Sequence, residues 1–196
     1  MIKRLFDITF SAIGLILLSP LLLMVALLVR VTSKGPIFFC QERMGRNFKP
    51  FQIYKFRTMV VDAPKLGGQI TAGRDPRITT VGHFLRATKI DEMPQLFNVL
   101  RGDMSFVGPR PEVPRYVEQF RDDYLELLKV RPGITDIASL KYRHESELLG
   151  ASSDPEATYV NEVLPDKIAL GKEYLQRQSL GLDLQLIVKT VLRMAA

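Results

Sequence analysis

The hydropathy pattern begins with an uncharged run near the amino terminus. Residues 8–29 read ITFSAIGLILLSPLLLMVALLV, and these twenty-two residues would rise about 33 Å as a helix, enough to cross the apolar core of a bilayer. The run is too long for a signal peptide, and no small-x-small cleavage site follows it. A fully apolar helix of this length is also unusual inside a small soluble domain. The pattern therefore predicts a membrane helix.

Ser19 and Pro20 interrupt the middle of this run. Pro20 has no N–H to donate to the carbonyl of Ile16, whereas the Ser19 hydroxyl can bond back to the preceding turn. Basic residues flank the run on both sides, so a straight crossing would violate the positive-inside rule at one end. We therefore expect residues 1–33 to form a re-entrant helix kinked at Ser19-Pro20; a tilted span with a mild kink is the alternative.

After residue 35 the pattern changes to shorter elements. PIFFCQ and FQIYKFRTM read as strands, with the turn RMGRNFKP between them, and predict a β-hairpin. Helical spacing recurs over residues 117–130, 164–179 and 182–194. The last of these segments fits either the core or the membrane interface. The predicted fold is α+β, mainly α with a small β-hairpin, in which residues 34–196 form one catalytic domain behind the membrane helix.

Two further helices are predicted between the hairpin and residue 102. Thr79 or Thr80 caps a helix that runs to about residue 87. A second helix starts at about Glu92 and ends at Gly102. Its apolar stripe, expected to face the core, consists of Met93, Leu96, Phe97 and Leu100.

Composition and charge narrow the class of partner. The chain has 196 residues, is 46% hydrophobic and carries a net charge of +6, which suits a globular protein that binds anions such as phosphate esters or a membrane surface. Its single cysteine, Cys40, excludes an intrachain disulfide. No recognised nucleic-acid motif is present, so we predict no nucleic-acid partner.

The candidate chemistry lies at the adjacent acids Asp91 and Glu92. One interpretation is structural: Asp91 is the N-cap of the following helix and Glu92 belongs to its first turn. The other is catalytic. One carboxylate attacks a phosphorus while the other holds Mg²⁺ or manages a proton, and cations shield the phosphate oxygens. The pattern alone leaves both interpretations open.

Basic residues around the dyad are the candidate phosphate ligands. On the second strand, Lys55 and Arg57 are expected to share a face because side chains alternate. This face is either a solvated surface or a cationic wall for a phosphate. Guanidinium groups fit phosphate oxygens in pairs, and the arginines considered are Arg86, Arg110, Arg131 and Arg143.

Several long segments resemble the bacterial sugar transferase family, specifically the small monotopic polyprenyl-phosphate phosphoglycosyl transferases. The similar segments are RLFDITFSAIGLILLSPLLL, GPIFFCQERMGRNFKPFQIYKFRTM, DPRITTVGHFLRATKIDEMPQLFNVLRGDMSFVGPRP, VRPGIT and the terminal LDLQ. The resemblance implies a cytoplasm-facing enzyme of the bacterial inner membrane. It implies transfer of a sugar 1-phosphate from a UDP-sugar to polyprenyl phosphate, with release of UMP.

The same resemblance implies roles for individual residues. It makes Asp91 the nucleophile of a covalent mechanism, Glu92 its partner at Mg²⁺, and Arg86 and Arg110 phosphate ligands. It makes Asp183 an active-site or structural acid. The implied partners are the UDP-sugar, polyprenyl phosphate and the bilayer; a homo-oligomer and a non-catalytic scaffold of glycan assembly are compatible alternatives.

One segment departs from the pattern of the family. After PGIT this chain reads DIASLKYR, where many members carry Gly-Trp-x-Gln-Val-x-Gly-Arg, and only the final arginine, Arg143, matches. Because this segment is expected to help recognise the substrate, the resemblance leaves the donor sugar open.

Overall fold

The computed structural model describes residues 2–68, 70–73 and 75–195. Four strands and eleven α-helices follow in chain order within these residues. They are α1 (Ile2–Thr32), β1 (Phe38–Met44), β2 (Pro50–Phe56), α2 (Ala63–Leu66), α3 (Thr80–Ala87), α4 (Gln95–Arg101), β3 (Ser105–Val107), α5 (Pro114–Gln119), α6 (Arg121–Leu127), β4 (Gly133–Thr135), α7 (Ile137–Lys141), α8 (Glu145–Gly150), α9 (Pro155–Thr158), α10 (Leu164–Arg177) and α11 (Leu180–Ala195). The mainly helical prediction is confirmed.

Helix α1 begins six residues before the uncharged run and is continuous through Pro20. It is long and apolar enough to cross a membrane. The hydroxyl of Ser19 donates to the carbonyl of Ile16 over 2.8 Å, the carbonyl that Pro20 cannot serve. The local hydrogen bond expected from the sequence is therefore present, and the helix continues through the position of the expected kink. The re-entrant path stays a prediction.

Both ends of α1 pack on the rest of the protein. Near its start, the buried Asp7 accepts hydrogen bonds from the Ser105 hydroxyl and the backbone N–H of Phe106. Near its end, Val25 and Val29 join an apolar cluster that includes β2 and α3. Between these contacts the helix exposes apolar side chains to the surroundings. The helix therefore lies along one side of the folded body rather than leaving it.

Strands β1 and β2 form the predicted antiparallel hairpin, with Phe38 opposite Phe56 and Met44 opposite Pro50. Helix α3 also agrees with the sequence, since the Thr79 side chain accepts from the N–H of Gly82 and caps its first turn.

Helix α4 differs from its prediction in both start and orientation. It begins at Gln95, and the side chain of Phe97 is 45% exposed, so the predicted apolar stripe does not face the core as a whole. The buried positions are instead Gln95, Leu96, Asn98 and Val99. The reason is that the helix buries a polar side chain, Asn98, against the hairpin. Hydrophobic spacing alone does not predict such a contact.

Asn98 ties α4 to the edge of β2. Its Oδ1 accepts from the N–H of Tyr54 over 3.1 Å, and its Nδ2 donates to the carbonyl of Gln52 over 2.7 Å. The side chain is fully buried. A buried amide that satisfies two backbone groups fixes the position of one element on the other.

We expect Asn98→Ala to destabilise the protein by about 2–3 kcal/mol, because it leaves two backbone groups of β2 buried without partners. Thermal unfolding of the detergent-solubilised chain measures the change. Asn161→Ala, at an exposed position, is the matched control. Equal unfolding temperatures for wild type and Asn98→Ala would contradict this role.

Strands β3 and β4 form a short parallel pair that the sequence did not predict. A Cβ on Gly133 would lie 2.1 Å from the Gly108 nitrogen, and one on Gly108 would lie 2.4 Å from the Arg131 carbonyl oxygen. Only glycine fits at both positions, so the two chains approach closely at this point. This contact fixes the extended segment that follows β3.

The carboxyl-terminal half supplies the largest apolar cluster, to which α5, α6 and α10 contribute. The helix predicted over residues 117–130 is instead two helices that meet at Phe120, whose ψ of 37° is not helical. Helix α11 buries Asp183 and Leu186 while Leu184 and Val188 are exposed. One face of α11 therefore packs on the core and the other is an apolar surface.

Candidate active site

The adjacent acids lie in a tight turn rather than at a helix cap. Residues Ile90–Glu92 form one turn of 3-10 helix, and Lys89 before it has a left-handed backbone with φ of 57°. Pro94, not Asp91, precedes α4, and no side chain caps that helix. The N-cap interpretation of Asp91 is therefore wrong. The chain enters the helix through a second turn that the sequence pattern did not reveal.

Asp91 is almost fully buried, with 6% of its surface exposed. Its Oδ1 atom is inaccessible and accepts no hydrogen bond from the described residues. Burial and, after it, repulsion from Glu92 raise the pKa of Asp91 to about 6. A buried carboxylate oxygen that no protein donor satisfies is costly and therefore uncommon outside functional sites.

The pKa of Glu92 is shifted in the opposite direction to that of Asp91. Burial would raise its pKa, but the charges of Lys55 and Arg110 outweigh that effect and hold the pKa well below its usual range. Its Oε1 accepts from Lys55 Nζ over 2.7 Å and from Arg110 Nη2 over 3.2 Å. Glu92 therefore stays ionised and holds two cations next to Asp91.

Arg86 reaches the same site from the last turn of α3. Its Nε donates to the Thr58 hydroxyl over 2.8 Å and its Nη1 to the Thr71 hydroxyl over 3.3 Å. Burial lowers its pKa, while the charge of Asp91 acts in the opposite direction. Neutral hydroxyls hold the guanidinium in place, so its charge remains available to an anion at Asp91.

Arg110 is positioned through a residue that sequence reasoning missed. Asp136 accepts from the backbone N–H of Arg110 over 3.2 Å and from the N–H of Ser139 over 2.6 Å, the latter as the N-cap of α7. The signal was present, because Asp136 is the first residue of the departing segment DIASLKYR. The resemblance to the family assigns that segment to recognition of the substrate and gives no role to Asp136.

The site offers only a few protein ligands to a divalent cation. The described residues contain no group of three or more potential metal ligands. Asp91 offers one oxygen without a hydrogen-bond partner, whereas Glu92 Oε1 already binds two cations. Mg²⁺ prefers few carboxylates and takes its other ligands from water and phosphate. The residues present are therefore compatible with Mg²⁺ held by Asp91, with Glu92 nearby, and by a phosphate-bearing substrate.

The raised pKa of Asp91 gives a prediction for stability. An acid that binds its proton more tightly in the folded protein loses stability as pH rises through its folded pKa. Metal-free Asp91→Asn should therefore match wild type near pH 4. Above about pH 6.5 it should exceed wild type by as much as about 3 kcal/mol. Thermal unfolding in EDTA across this range measures the difference, and a constant difference would contradict the assignment.

Other predicted site residues lie elsewhere. Arg57 donates to the carbonyl and hydroxyl of Ser33 at the end of α1, so it points away from the contact that Lys55 makes with Glu92. Arg143 is exposed and makes no hydrogen bond to the described residues. The structure thus brings Lys55, Arg86 and Arg110 to the dyad and directs Arg57 to Ser33. The role of Arg143 as a phosphate ligand stays a prediction.

Asp183 and Arg131 lie near the start of α1. The buried Asp183 accepts from the Tyr174 hydroxyl over 2.6 Å and forms an ion pair with Lys3. These contacts fit the structural alternative for this acid, because they join α1, α10 and α11. Arg131 donates to the carbonyl of Gly102 over 2.7 Å and lines a separate cavity.

Comparison with known proteins identifies relatives over the whole chain. The profile of the family described as "Bacterial sugar transferase" matches residues 1–196. The "Undecaprenyl-phosphate glucose phosphotransferase" of Komagataeibacter xylinus is 38% identical over 97% of this chain and 35% of its own length. The "UDP-N-acetylgalactosamine-undecaprenyl-phosphate N-acetylgalactosaminephosphotransferase" of Aeromonas hydrophila is 39% identical over 97% of this chain and 43% of its own length.

A third relative has nearly the same length. The "Exopolysaccharide production protein PSS" of Rhizobium leguminosarum bv. phaseoli is 38% identical over 97% of this chain and 93% of its own length. The chain thus spans less than half of the first two relatives and nearly all of the third.

Proposed function

This chain belongs to the bacterial sugar transferase family, and from that premise we propose that it transfers a sugar 1-phosphate from a UDP-sugar to polyprenyl phosphate and releases UMP. The observation that supports the proposal most strongly is that the two adjacent carboxylates have different surroundings. Asp91 is buried with an unsatisfied oxygen, and Glu92 is ionised and holds Lys55 and Arg110. An anionic nucleophile among cations suits attack on a phosphate ester.

The first step forms a bond between an oxygen of Asp91 and the β-phosphorus of the UDP-sugar. The bond from that phosphorus to the bridging oxygen breaks, and UMP leaves with the electron pair. Lys55, Arg86 and Arg110 surround the site with positive charge and stabilise the oxygens as the leaving charge develops. Mg²⁺, when bound, neutralises phosphate charge and lowers the repulsion that an attacking carboxylate meets.

The second step transfers the sugar phosphate to the acceptor and regenerates the free carboxylate of Asp91. An oxygen of polyprenyl phosphate attacks the phosphorus of the acyl phosphate on Asp91. The bond between the carboxylate and the phosphorus breaks, which gives polyprenyl-diphosphate sugar and ionised Asp91. This sequence predicts ping-pong kinetics, with parallel lines in double-reciprocal plots of the two substrates.

The placement of α1 supports a monotopic arrangement. Contacts made by Asp7 and by Val29 hold its two ends on the same folded body. A straight crossing would carry one end to the opposite side of the bilayer. We propose that α1 enters the cytoplasmic leaflet of the inner membrane and returns. This path sets the dyad near the depth where a polyprenyl phosphate presents its phosphate.

A UMP-release assay tests the reaction class. The full chain is incubated with UDP-glucose or UDP-N-acetylgalactosamine, the sugars named in two of its relatives, with and without polyprenyl phosphate and Mg²⁺. We expect UMP and a lipid-linked product from at least one donor, and loss of both in EDTA. Release of UDP instead would mean glycosyl transfer. Absence of turnover with a wider panel of UDP-sugars would favour the scaffold alternative.

A further inference from the structure

A second basic cavity lies apart from the dyad. Its volume is about 190 Å³, and it opens where the start of α1 meets the turn after β1 and the segment before β4. Five of its lining side chains are cationic, and one is acidic. The cations are Lys3, Arg4, Arg46, Lys129 and Arg131, and the acid is Asp7. Neither Asp91 nor Glu92 lines it.

Protein contacts hold part of this lining in place. Arg4 donates to the carbonyls of Val99 and Leu100 over 2.6 and 2.9 Å. The only acid in the lining, Asp7, accepts from Ser105 and the N–H of Phe106. Both bonds go to Asp7 Oδ1, and the single negative charge of Asp7 offsets only part of the charge of the five cations, including that of Arg131. Within the described residues, positive charge dominates the cavity.

Mutual repulsion among these cations also indicates a site for an anion. Burial lowers the pKa of Arg131, and the charges of Arg46 and Arg4 lower it further. Cations held this close are unfavourable unless an anion lies among them. Folding nevertheless brings them together, because the N–H of Asn47 in the turn next to Arg46 donates to the Leu128 carbonyl over 2.7 Å.

Arg46 and Lys129 form the adjustable part of the cavity. Both are exposed, and neither side chain makes a hydrogen bond or ion pair with the described residues. Each can therefore turn towards an anion without breaking an existing contact. They are also suitable positions for substitution, because no fold contact depends on their side chains.

The first turns of α1 also carry exposed apolar side chains. Ile2 and Leu5 are 71% and 67% exposed and lie on the side of the helix opposite the lining residues Lys3 and Arg4. The ion pair of Lys3 with Asp183 brings the start of α11 to the same end of α1. A cationic cavity at the first turns of a helix that exposes an apolar face is typical of a protein surface that meets the lipid headgroup layer.

We propose that this cavity binds the phosphate group of an anionic membrane lipid and so fixes the start of α1 at the membrane surface. Guanidinium groups suit phosphate oxygens, and an anionic headgroup is attracted to clustered Lys and Arg at the cytoplasmic surface. The bound lipid holds its phosphate in the cavity and lays its acyl chains along the apolar side chains of α1 and α11. This inference goes beyond the proposed reaction and does not depend on it.

Lipid binding to the full detergent-solubilised chain, measured by native mass spectrometry, tests the proposal. The probes are phosphatidylglycerol, phosphatidylcholine and inorganic phosphate. We expect one phosphatidylglycerol to bind more tightly than phosphatidylcholine. The double variant Arg46→Ala/Lys129→Ala should weaken that binding by roughly tenfold or more.

The control is Lys65→Ala/Arg115→Ala, which removes the same charge at two exposed positions outside the cavity. It should change the affinity less than twofold. Equal loss in both double variants would show a general charge effect and overturn the proposal. Competition by UDP, or binding of inorganic phosphate without any binding of lipid, would also overturn it. Because activity is not the readout, failure here leaves the proposed reaction untouched.

Discussion

Asp91→Asn is expected to abolish sugar-phosphate transfer, with kcat falling at least about 10³-fold, while the protein remains folded. An amide cannot serve as the nucleophile, so no acyl phosphate forms. The surrounding cations stay in place because Glu92, not Asp91, makes the hydrogen bonds to Lys55 and Arg110. Loss of activity therefore reports the missing carboxylate rather than a collapsed site.

The control for this variant is its own stability. At pH 7 the ionised Asp91 is disfavoured by burial and by Glu92, so Asp91→Asn should unfold at a temperature equal to or above that of wild type. An exposed acid, Asp122→Asn, should change neither activity nor stability measurably. UMP release by Asp91→Asn within tenfold of wild type would remove Asp91 from the reaction.

Arg110→Ala is expected to lower kcat/KM for the UDP-sugar by about 10²–10³-fold, the usual cost of removing one preorganised donor from a charged transition state. Two effects add in this variant. The phosphate oxygens lose a guanidinium, and Glu92 loses one of its two cations. The charge of Glu92 also raises the pKa of Arg110, so the two groups stabilise each other in their ionised forms.

Two variants make this result specific. Arg110→Lys keeps the charge and loses the guanidinium fork, so it should recover part of the activity. Arg115→Ala removes an arginine that is 66% exposed and should stay within twofold of wild type. If Arg110→Ala also stays within threefold, then Arg110 supports Glu92 only, and the phosphate contact must come from elsewhere.

The sequence was most informative where periodicity or local hydrogen bonding determines structure. The apolar run, the hairpin, the Thr79 cap and α10 were all predicted, because each depends on residues within one element. The Ser19 hydroxyl bond to Ile16 was predicted for the same reason. In contrast, the division of residues 117–130 at Phe120 depends on how two short helices pack against α10, and hydrophobic spacing does not contain that information.

The candidate site was predicted in part. The acids and the partners Lys55, Arg86 and Arg110 were named from their residue types and from the resemblance to the family. The geometry that makes Asp91 and Glu92 unlike could not be predicted, because it depends on contacts between β2, the turn before α4 and the segment after β3.

Two arginines show the limit of reasoning from residue type. Arg57 and Arg131 were grouped with the phosphate ligands, yet one binds the end of α1 and the other lines the second cavity. Their side chains follow tertiary contacts far apart in sequence, such as Ser33 with Arg57. Residue type alone is therefore a weak guide to where an arginine side chain lies in the fold.

The central claim is that Asp91 becomes covalently bound to the sugar phosphate, and rapid-quench incubation with the UDP-sugar and Mg²⁺ but without polyprenyl phosphate tests it most directly. The account predicts a burst of about one UMP per protein. It also predicts one sugar-phosphate adduct on the peptide that contains Asp91, which later addition of polyprenyl phosphate removes. UMP formation only after the acceptor is added, or an adduct on another residue, would contradict it.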